Sequence, residues 1–350
     1  MLAVSLIAFF GSLAASLALT PASILLATRF QVMDKPDGRK VHKAPIPRWG
    51  GIAIMGAILV TIGALSTYSK HFGELLRFTY RLKTPAGLMG ILSLKAQIAG
   101  ILLGASLVLG LGLIDDKKGV RTSAKLLTEI IAAYIAMTYG VRIAGISVPW
   151  GSHYITFPLW VTQIVTVLWL VGMSNAVNLI DGLDGLAAGV AGLVAGTFLI
   201  VALLQDQTNV ILFAKQLKLA SVLSTCVFGA CMGFLFFNFY PARVFMGDGG
   251  ALSLGFLLGC VAVTGTFKTT AAAAILIPFV VAALPVADMA FSIIRRFRKK
   301  ADIFQPDRGH IHHRLLDRGW TQREIVLLMY VITLLLSIAS MLLTVFKGRT

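Results

Sequence analysis

The chain has 350 residues; 57% are apolar or aromatic, 34 more are glycine, and only 13% are charged. Ordinary soluble domains are about a quarter charged, so a water-soluble enzyme, a disordered chain and a disulfide-stapled secreted scaffold are all excluded. Basic residues outnumber acidic ones 31 to 15, giving a net charge of +16.

A helix that crosses a bilayer needs about 20 mainly apolar residues. The sequence predicts about ten, near Leu2–Ala27, Trp49–Ser66, Ala96–Ile114, Leu126–Tyr139, Leu159–Met173, Leu186–Leu204, Leu217–Phe237, Ala251–Thr266, Ala271–Ile294 and Ile325–Phe346. The fourth and fifth extend into their flanks. Arg29 follows the first segment and no basic stretch precedes it, so it reads as a retained span rather than a cleaved signal peptide. Cys226, Cys231 and Cys260 fall in apolar stretches and read as small buried side chains. The expected fold is an all-α integral membrane protein, a polytopic bundle of about ten transmembrane helices over 1–350, one domain without internal repeats. An amphipathic surface helix is expected over Ile311–Ile325.

Twenty of the 31 basic residues fall in 28–50, 115–125, Arg243 and 295–323, all on one side of the threaded bundle. The Lys/Arg rule makes that side cytoplasmic and places both termini outside. Thirteen of the 15 acids lie on or near the same side; only Glu74 and Asp206 fall opposite. The rule gives acids no reason to gather there, so that face uses carboxylates for something else.

Four polar clusters follow in chain order. Asp115-Asp116, with Lys125 after them, pairs two carboxylates that repel unless a cation or proton is shared, a set suited to Mg²⁺ and phosphate. Glu129, one turn beyond Lys125, is expected to pair with it. Asn175, Asn178 and Asp181 recur every third residue on one helix face, before the Asp181-Gly and Asp184-Gly steps end that helix in a turn. Such polar side chains are costly in a bilayer unless satisfied. Next come Asn238, Arg243, an exposed Phe245 and Gly247-Asp248-Gly249-Gly250, a turn of the kind that binds phosphate or metal ahead of a span. Phe245 reads equally as an interfacial anchor or as a stacking partner for a base. The last cluster sets His310, His312 and His313 between Arg308 and Arg314. Three histidines within four residues read first as a zinc-like cluster, but no known zinc spacing is completed, and an anion site for phosphate is at least as good a reading. Carboxylates, cations and glycine turns at one end of a bundle suit phosphoryl transfer.

On these residues the chain resembles the polyprenyl-phosphate N-acetylhexosamine-1-phosphate transferases over nearly its whole length. The segments that carry the resemblance are Asp34 to Gly51 (with Pro45-Ile46-Pro47-Arg48), Asp115-Asp116, Asn175 to Gly185, Phe245 to Gly250, and the histidine loop. The first of these and Pro306 to Trp320 look most like the branch that initiates teichoic acid, enterobacterial common antigen and O-antigen. The resemblance implies transfer of N-acetylglucosamine 1-phosphate from UDP-GlcNAc to undecaprenyl phosphate, with Mg²⁺ (or Mn²⁺) and release of UMP, in the bacterial cytoplasmic membrane. By the family pattern Asp248 ligates the metal with Asn178 nearby, and Asp115 and Asp116 prepare the lipid phosphate or assist the metal. Asp184, Asn238 and Phe245 hold uridine, with Asn175 in the same nucleotide-facing set. Asp181 and Lys125 line the phosphate path, and His310, His312, His313, Arg308 and Arg314 meet the diphosphate or sugar. Pro278 and Pro285 imply a kinked ninth span with a groove for the prenyl chain. Phospho-MurNAc-pentapeptide transfer is the alternative within the family, and a secondary transporter the remote one outside it. No nucleic-acid partner is expected, and a homodimer stays open.

Overall fold

The computed structural model describes residues 2–36, 44–83, 89–147, 154–205, 210–265, 315 and 318–347. These form α1 (Leu2–Arg29), α2 (Gly51–Tyr68), α3 (Lys70–Leu76), α4 (Leu94–Lys118), α5 (Thr122–Thr138), α6 (Leu159–Ile180), α7 (Leu186–Leu204), α8 (Ile211–Asn238), α9 (Gly247–Gly265) and α10 (Gln322–Lys347). Eight of them are long and apolar enough to cross a membrane. The short α3 is not, and the 17 residues of α5 stand at the lower limit of about 17 for a span. The span expected at Ala271–Ile294, with its two prolines, lies outside the described residues.

Three antiparallel hairpins join the helices: β1 (Met33–Asp34) with β2 (Ile46–Pro47), β3 (Thr79–Lys83) with β4 (Met89–Ser93), and β5 (Gly145–Ser147) with β6 (Tyr154–Thr156). The sequence reading contains none of them. Strands of two to five residues are too short to print an alternating pattern on a chain this apolar.

The centre of the bundle is α9. Every residue from Gly249 to Gly265 is buried, as a helix apolar on all sides must be. It packs against α2, α4, α6, α7 and α8. On one flank α1 lies along α8, where Gly229 and Gly233 repeat at GxxxG spacing. A Cβ on Gly229 would come within 2.4 Å of the Phe9 carbonyl oxygen, and one on Gly233 within 2.6 Å of that of Leu13. The close approach lets the Ser16 hydroxyl donate across the interface to the Ala230 carbonyl at 2.8 Å. Small residues do this work in membranes because lipid is as apolar as the helices it surrounds.

On the other flank α10 lies along α7, where the Thr197 hydroxyl donates to Ser337 Oγ at 2.8 Å. A capping box starts α10: Thr321 N–H donates to Glu324 Oε2 at 2.7 Å and Glu324 N–H returns to Thr321 Oγ1 at 3.3 Å. This box corrects the amphipathic surface helix expected up to Ile325. Gln322 to Ile325 already belong to α10, while 311–314 lie outside the described residues.

Among the described residues, helix backbones approach one another most closely where α4 and α2 meet α9. A Cβ on Gly112 would sit 2.1 Å from Gly249 Cα, and one on Gly51 would sit 2.3 Å from Gly250 Cα. These obstacles are backbone, so no rotamer change makes room. Gly112→Ala is therefore expected to force α4 off α9, at the usual overpacking cost of about 1–3 kcal/mol. Gly110→Ala, two residues earlier on α4 with open space at its Cβ position, should be neutral or mildly stabilising. Thermal unfolding of the two variants in detergent checks the contrast.

Candidate active site

The polar clusters share one end of the bundle because five helix ends meet there: the starts of α2, α5 and α9 and the finishes of α4 and α6. Asp248 sits in the first turn of α9, where unpaired backbone N–H groups favour a carboxylate. Its Oδ2 accepts from Lys125 Nζ at 2.8 Å, and its Oδ1 lies 3.4 Å from Arg48 Nη2. Lys125 Nζ also bonds Asp115 Oδ2, so one ammonium stands between two carboxylates. Arg48 Nε lies 3.4 Å from Asp116 Oδ1, and its Nη1 lies 3.7 Å from Asp34 Oδ1. Two backbone donors complete the network: Asp248 N–H to Asp116 Oδ1 at 3.1 Å and Val120 N–H to Asp115 Oδ1 at 2.6 Å.

The two adjacent aspartates therefore differ. The Asp116 side chain is wholly buried, whereas that of Asp115 keeps 10% exposure beside Lys125. Gly247, at φ +74°, packs its Cα against the Asp116 carboxylate; a Cβ there would come within 2.5 Å of the Arg48 carbonyl oxygen. Only glycine fits that left-handed, crowded position.

Arg48 joins three carboxylates, and the sequence reading did not place it in the site. Its signal was present as the arginine of Pro47-Arg48-Trp49-Gly50-Gly51 just before a span. Burial opposes its charge, but Asp116, Asp248, Asp34 and Asp181 outweigh that and hold it above the ordinary arginine value. The same segment anchors the loop before α9. Phe245 N–H donates to the Pro47 carbonyl at 2.7 Å, and Gly50 and Gly51 N–H donate to the Phe245 and Met246 carbonyls at 2.9 Å.

Helix α6 ends at Ile180, Asp181 N–H reaches back to the Asn178 carbonyl at 3.3 Å, and Gly185 at φ +79° turns the chain into α7. Asn178 and Asp181 are half-buried at this end. Burial and the charge of Asp248 push the Asp181 carboxyl up to about 7, against the pull of Arg48. Tyr330 of α10 donates to the Gly185 carbonyl at 2.6 Å and so fixes this turn from outside. Asn175 lies deeper. Its amide donates to Glu129 Oε2 and to the Val171 carbonyl, tying α6 to α5. This corrects the expected Glu129–Lys125 pair: Lys125 faces Asp115 and Asp248, and the buried Glu129 takes Asn175.

Asp184 and Asn238 both serve the loop before α9. Asp184 Oδ2 accepts from Ala242 N–H at 2.9 Å, and Asn238 Nδ2 donates to the Val244 carbonyl at 2.8 Å. That loop presents Phe245, which is half-buried rather than exposed as the sequence implied, because its backbone is stitched to Pro47 and Gly50. His310, His312, His313, Arg308 and Arg314 lie outside the described residues.

A hard divalent cation fits the donor chemistry. Among the described residues, Arg48 pairs with Asp34, Asp116 and Asp248, and Lys125 with Asp115 and Asp248, so each cation is shared between carboxylates. Asp116 Oδ2 is buried without a hydrogen-bond partner. Among the described residues no three carboxylates, histidines or cysteines already converge as a metal cage; Lys125 holds the gap between Asp115 and Asp248. Mg²⁺ binds through one or two carboxylates plus substrate phosphates rather than through a complete protein cage.

Comparison with known proteins gives a consistent picture. The profile of glycosyl transferase family 4 matches residues 98–266. The chain is 33% identical over 338 residues to a "Probable undecaprenyl-phosphate N-acetylglucosaminyl 1-phosphate transferase" of Bacillus subtilis, covering 96% of this chain and 84% of that one. It is 33% identical to the "Decaprenyl-phosphate N-acetylglucosaminephosphotransferase" of Mycobacterium tuberculosis, covering 88% of this chain and 74% of that one. It is 32% identical to the "Phospho-N-acetylmuramoyl-pentapeptide-transferase" of Acetivibrio thermocellus, covering 94% and 92%.

Arg48→Ala leaves the buried Asp116 without its ion pair, a loss of about 3–5 kcal/mol in comparable buried pairs. Thermal unfolding should show a large drop for Arg48→Ala and partial recovery when Asp116→Asn is added, because the second change removes the uncompensated charge.

Proposed function

This chain belongs to the polyprenyl-phosphate N-acetylhexosamine-1-phosphate transferases of glycosyl transferase family 4, and on that premise we propose its substrates and the role of each site residue. It is a membrane phosphotransferase that moves N-acetylglucosamine 1-phosphate from UDP-GlcNAc to undecaprenyl phosphate. The observation that carries the site assignment is the Asp115–Lys125–Asp248 bridge at the N-terminus of α9.

In this reaction a lipid-phosphate oxygen attacks the β-phosphorus of UDP-GlcNAc. The bond from that phosphorus to the bridging oxygen breaks, and UMP departs with the bridging oxygen. Negative charge spreads over the phosphoryl oxygens, so positioning and charge neutralisation supply most of the catalysis. Asp248, with Asn178 and Asp115, would hold Mg²⁺ (or Mn²⁺), which would supply Lewis-acid neutralisation of the diphosphate. Lys125, already between two carboxylates, is placed to turn its ammonium toward phosphate oxygens, with Asp181 lining the path. Asp116 acts as a positioning residue: fully buried, it holds Arg48 and the Asp248 backbone rather than touching substrate. Asp115 is then the member of the pair that faces the reaction. A lipid phosphate is largely ionised near neutral pH, so neither aspartate is needed as a base.

Asp184 and Asn238 order the loop that offers the Phe245 ring to the uracil, and Asn175 braces α6 beneath Asn178 and Asp181. The histidines His310, His312 and His313, with Arg308 and Arg314, are assigned to the diphosphate and sugar. The site faces the cytoplasm, where UDP-sugars are made, in the cytoplasmic membrane of a bacterium. The start of α1 and the end of α10 then face the opposite side. Phospho-MurNAc-pentapeptide transfer is the second reading, favoured by the 32% identity to the Acetivibrio thermocellus protein of that name.

Purified chain with undecaprenyl phosphate, Mg²⁺ and labelled UDP-GlcNAc should yield a labelled lipid and UMP. EDTA should abolish both. Asp248→Ala should lower turnover by at least about a thousandfold while the variant still folds. Turnover of UDP-MurNAc-pentapeptide alone moves the protein to the second reading, and failure with every UDP-N-acetylhexosamine contradicts both.

A further inference from the structure

The end of the bundle opposite the carboxylates has a cavity of about 380 Å³, within the roughly 300–1,000 Å³ of small-ligand clefts. It opens between β3, the segment after α5, the start of α6 and the start of α8. Arg142, Tyr80, Gln216 and Thr162 supply its polar wall, and Phe157 and Leu212 are part of its apolar one. The length of α5 separates it from Lys125, about 25 Å at 1.5 Å per residue. The transfer reaction has no use for it.

The charge at this end has the same kind of anomaly as the acids at the other. Arg77, Arg81, Lys95, Arg142, Lys215 and Lys218 all belong to this end, where Glu74 is the acid among the described residues. A Lys/Arg excess is expected on the cytoplasmic side, so cations gathered on the other side call for an anion. Arg142 spends its Nε on the Met137 carbonyl at the end of α5, at 3.1 Å, which fixes the side chain against the cavity. Tyr80, a residue only 9% exposed, buries its Oη beside the Gln216 side chain without a hydrogen bond of normal geometry. Burial works against the protonated Arg142, holding it below the ordinary arginine value, and pushes the Tyr80 hydroxyl up to about 12. A guanidinium and a phenol are both donors of the kind that an anion's oxygens accept from.

We propose that this cavity binds the phosphate of an anionic lipid headgroup from the leaflet opposite the catalytic face, with Arg142, Tyr80 and Gln216 as its donors. The apolar wall decides between a lipid and a free phosphate. A free phosphate needs polar partners on all sides, whereas Phe157 and Leu212 suit a glycerol backbone and the start of its acyl chains. The surface beside the cavity is lipid-facing in character, with Trp160 63% exposed and Ile211 68% exposed, and tryptophan is the usual anchor at a membrane interface.

The test uses the full chain in detergent, with native mass spectrometry to read retained phosphatidylglycerol against phosphatidylcholine. Wild type should hold phosphatidylglycerol selectively, and that lipid should raise its Tm. Arg142→Gln should weaken retention by about tenfold, the loss of one charge-assisted contact. Leu212→Trp, which removes no polar group but fills the cavity, should do the same with transferase turnover unchanged. Equal retention of the two lipids by wild type overturns the proposal, as does a folded Leu212→Trp that keeps phosphatidylglycerol. Displacement of phosphatidylglycerol by inorganic phosphate at matching concentration overturns the lipid source in favour of a soluble anion.

Discussion

The carboxylate-rich end of this protein depends on two places where backbone touches backbone: Gly51 against Gly250 and Gly112 against Gly249. Helices separated by ordinary side chains pack with axes about 8–10 Å apart, too far for short aspartate side chains on neighbouring helices to share one ammonium. With hydrogen in place of Cβ at both contacts, the start of α9 settles between α2 and α4. Asp248 then comes within hydrogen-bond reach of Lys125, and its backbone within reach of Asp116. The glycines of Gly247-Asp248-Gly249-Gly250 thus have separate tasks. Gly247 takes the left-handed turn against Asp116, and Gly249 and Gly250 let two helices in.

Crowding carboxylates in a membrane protein is costly, and the molecule meets that cost with cations drawn from elsewhere in the chain. Arg48 comes from the hairpin that precedes α2, and Lys125 from the first turn of α5. Each bridges aspartates from different elements, so the network also fixes the relative positions of α2, α4, α5 and α9. Burial first, and then the charges of Asp248, Asp116 and Asp184, keep the Asp181 carboxyl well above its ordinary value despite Arg48. In the proposed reaction, a divalent cation and its bound diphosphate would complement the negative charge of these carboxylates. The bundle's outer parts support this arrangement at one remove. Tyr330 fixes the Gly185 turn, and the Glu129–Asn175 bond holds α5 to α6 beneath the site.

Much of this was legible in the residues. Nine of the ten expected spans coincide with described helices, because twenty-residue apolar runs leave little alternative in a bilayer. Asp115, Asp116, Asp181 and Asp248 stood out because the Lys/Arg rule gives carboxylates no reason to gather at one face, and Lys125 because it follows the first two. Other features needed the third dimension. Arg48 looked like one of many topology-setting cations, since nothing local marks an arginine that will meet three distant aspartates. Asn175 shared a helical face with Asn178, yet one turn of depth makes it a brace for Glu129 instead. The difference between Asp115 and Asp116 was invisible, because adjacent residues on a helix point about 100° apart and only packing decides which is buried. The hairpins were too short to register, and the cavity at Arg142 draws its walls from four separated segments.

The central claim is that glycine contacts, by bringing α9 against α2 and α4, create the cation site at Asp248. Electron paramagnetic resonance of Mn²⁺ bound to the detergent-solubilised chain tests it without any substrate. Wild type should hold a single Mn²⁺ that Asp248→Asn abolishes. Gly112→Ala, which alters no charge, should weaken binding by at least about tenfold if a methyl group displaces α9. Mn²⁺ binding by a folded Gly112→Ala protein that matches wild type would contradict the account.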